Sequence, residues 1–146
     1  MIYLRDALQS DIDLLFQWAN DPVVRKNSFN TMQIPYEMHQ KWFEHVMNSK
    51  TIHQFILMDG TIPIGQIRVN VEQEKAEISY SISALYRGKG YGRIICNLIK
   101  EEVCSRYPEI KTLVAKVKTD NDISNQLLVS AGFNKKYVCY TLDVAK

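Results

Sequence analysis

The apolar positions change period along the chain, and those changes mark out its elements. "MIYLR" opens as a short strand. Ser10 then offers a helix N-cap, with Asp13 three residues on in capping-box register. Ile12, Leu15, Phe16 and Ala19 recur at helical spacing to about Asn20. "NDPVVRKNSFNTMQ" breaks that period with Pro22 and scattered asparagines and reads as a loop. A second helix is expected from Pro35, whose fixed φ suits the first helical position; Met38, Trp42, Val46 and Met47 form its apolar stripe. From about His53 the period becomes two. "HQFILM" and "IPIGQIRVNV" flank Asp59-Gly60, a strong hairpin signal, and Pro63 and Gly65 suggest an edge or a bulge early in the second strand.

After the polar turn "EQEK" comes "AEISYSIS", which alternates Ile78, Tyr80 and Ile82 against Glu77, Ser79 and Ser81. A glycine-rich segment follows, and then a long helix with Tyr91, Ile94, Ile95, Leu98 and Ile99 on one face, closed by Pro108. "TLVAKV" is another strand. Asp120 or Asn121 caps a short helix, "ISNQLLVSAG", that ends at Gly132, and "KKYVCYTLD" is expected to be a last strand. The order β-α-α-β-β-β-α-β-α-β predicts an α/β fold: a mixed, mainly antiparallel sheet flanked by about four helices, with a parallel crossover around the long helix.

Length and composition narrow the classes. A chain of 146 residues predicts one domain, residues 1–146, long enough to bury a real core. The net charge of +2, with no basic run, argues against nucleic acid. No apolar run spans a bilayer, so no membrane is expected. Cys96, Cys104 and Cys139 have no metal-ligand spacing and leave an odd thiol if two pair; a reducing cytoplasm is the expected compartment, and no metal is expected.

The chemistry concentrates in Arg87-Gly88-Lys89-Gly90-Tyr91-Gly92, where a strand gives way to a helix. A helix N-terminus leaves backbone N–H groups unpaired and carries partial positive charge, and glycines let the backbone approach an anion. With Arg87, Lys89 and Arg93 adding charge, the segment reads as a pyrophosphate cradle. A nucleotide-hydrolase P-loop needs Ser or Thr after the lysine, and Gly90 stands there instead. A dinucleotide fingerprint needs G-x-G-x-x-G, whereas Gly88, Gly90 and Gly92 are spaced two and two. A glycine-rich turn that merely caps a helix is the plain alternative.

Arg87-x-x-Gly90-x-Gly92 resembles the coenzyme A loop of the GNAT superfamily of N-acetyltransferases. Asn121-x-x-Ser124-x-x-Leu127 followed by Gly132-Phe133 is similar to the later GNAT signature, and the element order matches over essentially the whole chain. The resemblance implies acetyl-CoA as cosubstrate, with its pyrophosphate on the cradle residues Arg87, Gly88, Lys89, Gly90, Tyr91 and Gly92. It implies that the backbone of Tyr80 and Ile82 pairs with pantetheine where the strand splays from its neighbour, and that Asn121 and Asn125 lie beside the coenzyme. Asn121 equally suits a plain N-cap.

The catalytic groups are less legible. Many GNAT enzymes carry a tyrosine after the late-helix leucine to protonate the leaving thiolate; Leu128 occupies that position. Tyr140 and Tyr137 are the substitute hydroxyls, with water or an unprotonated thiolate as alternatives. Glu77 is the candidate base, or a plain ion-paired strand residue; His39 and His45 are the alternatives. An amine of pKa about 10.4 is neutral in roughly one molecule in 10³ at pH 7, and one of pKa about 7.7 in roughly one in six. A site without an evident dyad therefore leans toward weakly basic amines, such as those of sugars or chain N-termini.

Acceptor specificity belongs before the hairpin. Asn20-Asp21-Pro22, Val24-Arg25, Ser28-Phe29 and His39-x-x-Trp42-Phe43 resemble GNAT members that acetylate nucleotide-linked amino sugars, including those of pseudaminic-acid and related surface-glycan pathways. Such an acceptor needs a cation for its diphosphate, an aromatic plane, and groups for sugar hydroxyls. Arg25, then Trp42 or Phe29, then Asn27 or Ser28 are those types, with His39 beside them. Trp42 also suits core packing, and Arg25 also suits a solvated loop. The reading is an N-acetyltransferase acting by direct attack in a ternary complex on a small-molecule amine, with a homodimer as the protein partner allowed for. The alternatives are acetylation of protein N-termini, a non-catalytic coenzyme-A-binding module, and a nucleotide-binding regulatory domain, the last disfavoured by the missing Lys-Ser/Thr.

Overall fold

A computed structural model describes residues 1–144. Five strands, β1 (Ile2–Asp6), β2 (Ile52–Asp59), β3 (Ile62–Glu72), β4 (Lys75–Ile82) and β5 (Thr112–Ala115), form one sheet in sequence order. β1 to β4 pair antiparallel, and β4 and β5 pair parallel. The helices are α1 (Ile12–Ala19), α2 (Pro22–Asn27), α3 (Tyr36–Asn48), α4 (Tyr91–Arg106) and α5 (Asp122–Ser130).

β2 shows why the sheet sits centrally. Its Phe55, Ile56 and Leu57 are consecutive and all buried, so both faces of the strand are covered. Phe55 and Leu57 face a core shared with Ile67, Val69 and Ile78 and with Ile95, Ile99 and Val103 of α4. Ile56 and Met58 face the other way, against Leu15 of α1 and Phe43 of α3. The β2–β3 turn closes at Gly60, φ +60°, and the register shifts between Leu57 and Met58 opposite Pro63 and Gly65, the expected bulge.

Three sequence expectations change. Pro22–Asn27 is a helix, because the Asp21 carboxylate accepts from the amides of Val23 and Val24 and Pro22 fits the first turn. The Ser10–Asp13 capping box does not form. Instead a 3₁₀ turn, Gln9–Asp11, enters α1, and Asp11 accepts from the Leu8 amide at 2.7 Å. The last strand expected over residues 135–143 is absent. β5 pairs over only four residues, and Tyr137, Tyr140 and Leu142 stay exposed rather than joining a ladder.

Asp11 gives a first test. Arg5 donates to both its carboxylate oxygens, at 2.7 and 2.9 Å, and the carboxylate is buried. Burial alone would raise its pKa, but the Arg5 and Leu8 hydrogen bonds outweigh that and hold it below the usual carboxylate range. Its stabilisation is therefore complete above about pH 4 and vanishes as pH falls through the lower folded value. Asp11→Asn should cost about 2 kcal/mol in urea unfolding at pH 7, and progressively less as pH falls through the folded value.

Candidate functional site

The pairing of β4 with β5 runs only from Lys75↔Thr112 to Ile78↔Ala115, while β4 continues to Ile82. Beyond Ile78 the two strands part. On the β3 side, Ser83 donates to the Ile64 carbonyl at 2.8 Å. By the two-residue alternation, the amides and carbonyls of Tyr80 and Ile82 face away from β3, into the gap that β5 leaves. The Ile82 carbonyl accepts from Arg87 Nε at 3.1 Å; its N–H points the same way.

The glycine segment closes the upper end of this gap. A 3₁₀ turn, Ala84–Tyr86, leads into it, and Gly90 caps α4 with φ +88° after Gly88 at +76°. These left-handed positions carry no side chain, and a Cβ at either would meet open space. The first helical bond of α4 is Ile94 N–H to the Gly90 carbonyl. The amides of residues 88–93 donate to no protein acceptor among the described residues, so they form a row of free donors at the helix N-terminus. Gly92 serves another purpose: a Cβ there would lie 2.5 Å from Leu127 Cδ1, so its absence lets α4 and α5 approach.

The gap opens into a cavity of about 710 Å³ that runs from the glycine segment to α2 and α3. Tyr80, Ile82, Arg87, Gly88, Gly90, Tyr91, Gly92 and Asn121 line it on one side, and Arg25, Asn27, Ser28, Phe29, His39 and Trp42 on the other. The two expected residue sets, more than 60 positions apart in part, thus share one cavity. Lys89 is not on that wall; its ammonium sits 5.8 Å from the Tyr86 ring. Nor is Asn125, whose side-chain amide donates to the Lys118 and Asn121 carbonyls and fixes the start of α5. Asn121 caps that helix, accepting from Ser124 N–H at 3.2 Å, and still reaches the cavity. Tyr91 lines the cavity and ties α4 to the β2–β3 hairpin through Asp59 at 3.0 Å.

Several roles must be reassigned. Arg25 lines the cavity, but its guanidinium is engaged by the Ala19, Asn30 and Met32 carbonyls and by Ser28 Oγ; it holds the loop after α2 and is not available to a diphosphate. Ser28 is likewise engaged, donating to the Val24 carbonyl at 2.6 Å. Arg87 bridges Ile82 and Asp21, the latter at 2.9 Å, and so fastens the glycine segment to the N-cap of α2. Burial alone would raise the Asp21 pKa; the Arg87 bond and the Val24 and Val23 amides pull it down.

Glu77 does not line the cavity: it is nearly half exposed and ion-paired to Lys116 at 3.0 Å. Tyr140 is 90% exposed and Tyr137 75%, and neither lines the cavity, because the segment that bears them joins no sheet. Leu128 is packed in the core against α4. His39 is buried among Phe16, Tyr36, Trp42 and Phe43 and reaches the cavity at its edge. Its Nε2 lies 2.8 Å from the Ile12 carbonyl, which requires the proton on Nε2 and leaves Nδ1 as an acceptor. His45 belongs to a separate depression on α3 that shares no residue with the cavity.

Gln66, Ser81, Ser124 and Arg68 line the cavity and have no site role in the sequence reading. Gln54 Nε2 donates to Gln66 Oε1 at 2.8 Å, and Gln66 Nε2 to Ser81 Oγ at 3.1 Å, a relay across three strands that leaves the Ser81 proton free to donate. Tyr80 OH donates to Ser124 Oγ at 3.4 Å at the gap, and burial raises the phenol's pKa, so it stays protonated. Arg68 is the fourth. Period-two alternation puts Gln54, Gln66, Arg68 and Ser81 on one sheet face and Tyr80 on the other, but which residues meet a cavity depends on helices distant in sequence. Cys96 lies under Tyr80 in the core, its thiol pushed up to about 11 by burial, which removes it as a nucleophile.

Comparisons with known proteins agree with this geometry. The family described as acetyltransferase (GNAT) domain matches residues 2–134. The chain is 25% identical to an uncharacterized N-acetyltransferase, YfmK of Bacillus subtilis, over 86% of this chain and 80% of that protein. Its fold superposes on spermidine N-acetyltransferase from Vibrio cholerae, in complex with CoA and spermine, with a TM-score of 0.83 at 16% identity over 93% and 82% of the two chains. It also superposes on aminoglycoside acetyltransferase AAC(6')-Ib in complex with coenzyme A, with a TM-score of 0.81 at 17% identity over 93% and 86%. With nine-tenths of the sequence inside the family match, the chain belongs to the GNAT acetyltransferase family and is an acyltransferase.

Proposed function

We propose that this protein transfers the acetyl group of acetyl-CoA to the primary amine of an amino sugar, by direct attack with both substrates bound. The observation that carries the reading is the row of free amides at residues 88–93 beside the parted strands. Those amides suit a pyrophosphate, and the outward-facing backbone of Tyr80 together with the Ile82 N–H suits a pantetheine chain. Acetyl-CoA supplies the activated acyl group. The Ile82 N–H then faces the acyl oxygen and polarises it.

The amine's proton has one evident destination. Among the described residues that line the cavity there is no carboxylate, and His39 Nδ1 is the base on its wall. On the leaving side, the Tyr80–Ser124 hydroxyl pair replaces the missing tyrosine as proton donor. Asn27 and the exposed Phe29 offer an amide and an aromatic face for a sugar ring, and a nucleotide-linked sugar extends toward Trp42. The second reading, a coenzyme-binding module without turnover, rests on Leu128, which is buried where a tyrosine is expected.

A thiol-release assay with acetyl-CoA and a panel of glucosamine derivatives, short peptides and polyamines tests this. Turnover of amino sugars above peptides is expected. Coenzyme binding without release of thiol to any amine would select the module reading.

A further inference from the structure

Four cationic side chains line the cavity: Arg25, Arg68, Arg87 and Lys116. Three are engaged. Arg25 holds backbone carbonyls, Arg87 holds Asp21, and Lys116 holds Glu77 at 3.0 Å. Arg68 differs. It projects from β3 opposite Ser79, and its guanidinium carbon sits 5.2 Å from the centre of the Trp42 ring. Among the described residues it makes no hydrogen bond or ion pair, and none of its nitrogens is sealed in the core. Burial lowers its pKa, and the charge of Glu77 opposes that shift; as a guanidinium it remains a cation at any working pH.

A desolvated guanidinium without an anion is costly to maintain. Arg68 retains five N–H donors in a planar fork, which matches carboxylate or phosphate oxygens two at a time. Trp42 holds the guanidinium from one side, and both residues line the cavity. Glu77, whose charge reaches Arg68, is paired to Lys116 and does not line the cavity, so among the described residues no carboxylate on the cavity wall takes up the fork. A polycationic acceptor would meet no carboxylate on the cavity wall among the described residues.

Resting on the acetyltransferase reading above, we propose that the acceptor is an amine that also bears an anionic group, carboxylate or phosphate, and that Arg68 stacked on Trp42 is the residue that reads it. Ser79 and Ser81 are one strand repeat apart, about 7 Å. Arg68 is level with Ser79, and Ser81 adjoins the Ile82 amide. The anion therefore lies several bonds from the reacting nitrogen, as on a substituted sugar ring, and not on the amine's own carbon.

The test compares matched acceptors by thiol release: glucosamine, glucosamine 6-phosphate, the carboxylate analogue 2-amino-2-deoxyglucuronic acid, and spermidine. Direct binding of the corresponding N-acetyl sugars to the coenzyme A complex, by calorimetry, gives a readout independent of turnover. Wild-type protein should favour an anionic sugar over glucosamine at least tenfold in kcat/KM and in Kd, with spermidine poorest. The phosphate and carboxylate arms identify which anion fits the fork. Arg68→Gln should erase the preference, and Arg68→Lys, which keeps the charge but not the fork, should retain only part of it. A wild-type protein that ranks the sugars equally, or a preference that survives in Arg68→Gln, overturns the proposal. Calorimetry of coenzyme A alone separates the two readings: no coenzyme binding defeats the acetyltransferase assignment, whereas normal coenzyme binding with no anion preference defeats only the role of Arg68.

Discussion

Gly90→Val should weaken acetyl-CoA binding at least about a hundredfold while the chain still folds. Gly90 caps α4 at φ +88°, a backbone region that a β-branched residue enters at a cost of about 1–3 kcal/mol. A Cβ at this position meets nothing within 4 Å, so the penalty is conformational and the core is not crowded. The chain relieves the strain by rotating the peptide planes beside residue 90. That turns away amides that otherwise point at one anion. Losing two charge-assisted hydrogen bonds, at about 1.5–3 kcal/mol each, accounts for the hundredfold. Calorimetry measures the affinity, and circular dichroism checks the fold. An unchanged Kd would mean that the phosphates are held elsewhere.

Gly65→Ala should have a different signature, destabilising the fold and slowing turnover together. Gly65 lies on β3 opposite Ile82. A Cβ there would stand 2.5 Å from the Ser81 carbonyl oxygen and 3.2 Å from Ile82 Cα. Both are backbone atoms of β4 and cannot swing aside. Overpacking at so rigid a contact costs about 3 kcal/mol, which lowers Tm by about 10 °C in a chain of this size. The relief is a displacement of the end of β4, and the Ile82 amide moves with it. Since small misplacements of a polarising donor are severe, kcat should fall at least about tenfold at a temperature where the variant is folded, with less effect on KM for acetyl-CoA. Wild-type stability in Gly65→Ala would show that β3, and not β4, gives way.

The geometry of the glycine segment was legible because it is written locally. Alternating glycines at a strand-to-helix junction dictate left-handed backbone and unpaired amides, and nothing distant is needed to make them. The acceptor side was legible only as a region. Asn27, Phe29, His39 and Trp42 do face the cavity, yet Arg25 does not serve as a free cation, because the carbonyls that occupy it come from the turns that follow and precede α2. Arg68 sits in a strand whose alternation looks like any other, and its distinction is the absence of a partner, which no local pattern encodes. Glu77 shows the converse. Its type and position suited a base, but Lys116 on the neighbouring strand segment claims it. The expected final strand over residues 135–143 has the composition of a strand, but pairing requires an edge long enough to receive it, and β5 offers four residues.

The Asp21–Arg87 bridge has a practical corollary. On the proposed reading, Asp21 starts the helix beside the acceptor and Arg87 opens the segment that takes the coenzyme, so a single bond joins both substrates' pockets. Anyone who grafts a foreign α2 to change what is acetylated will alter cosubstrate affinity in the same stroke, unless the aspartate travels with the graft. Libraries that retain Asp21 and vary residues 23–29 keep the two specificities separable, and those that randomise it select for both at once.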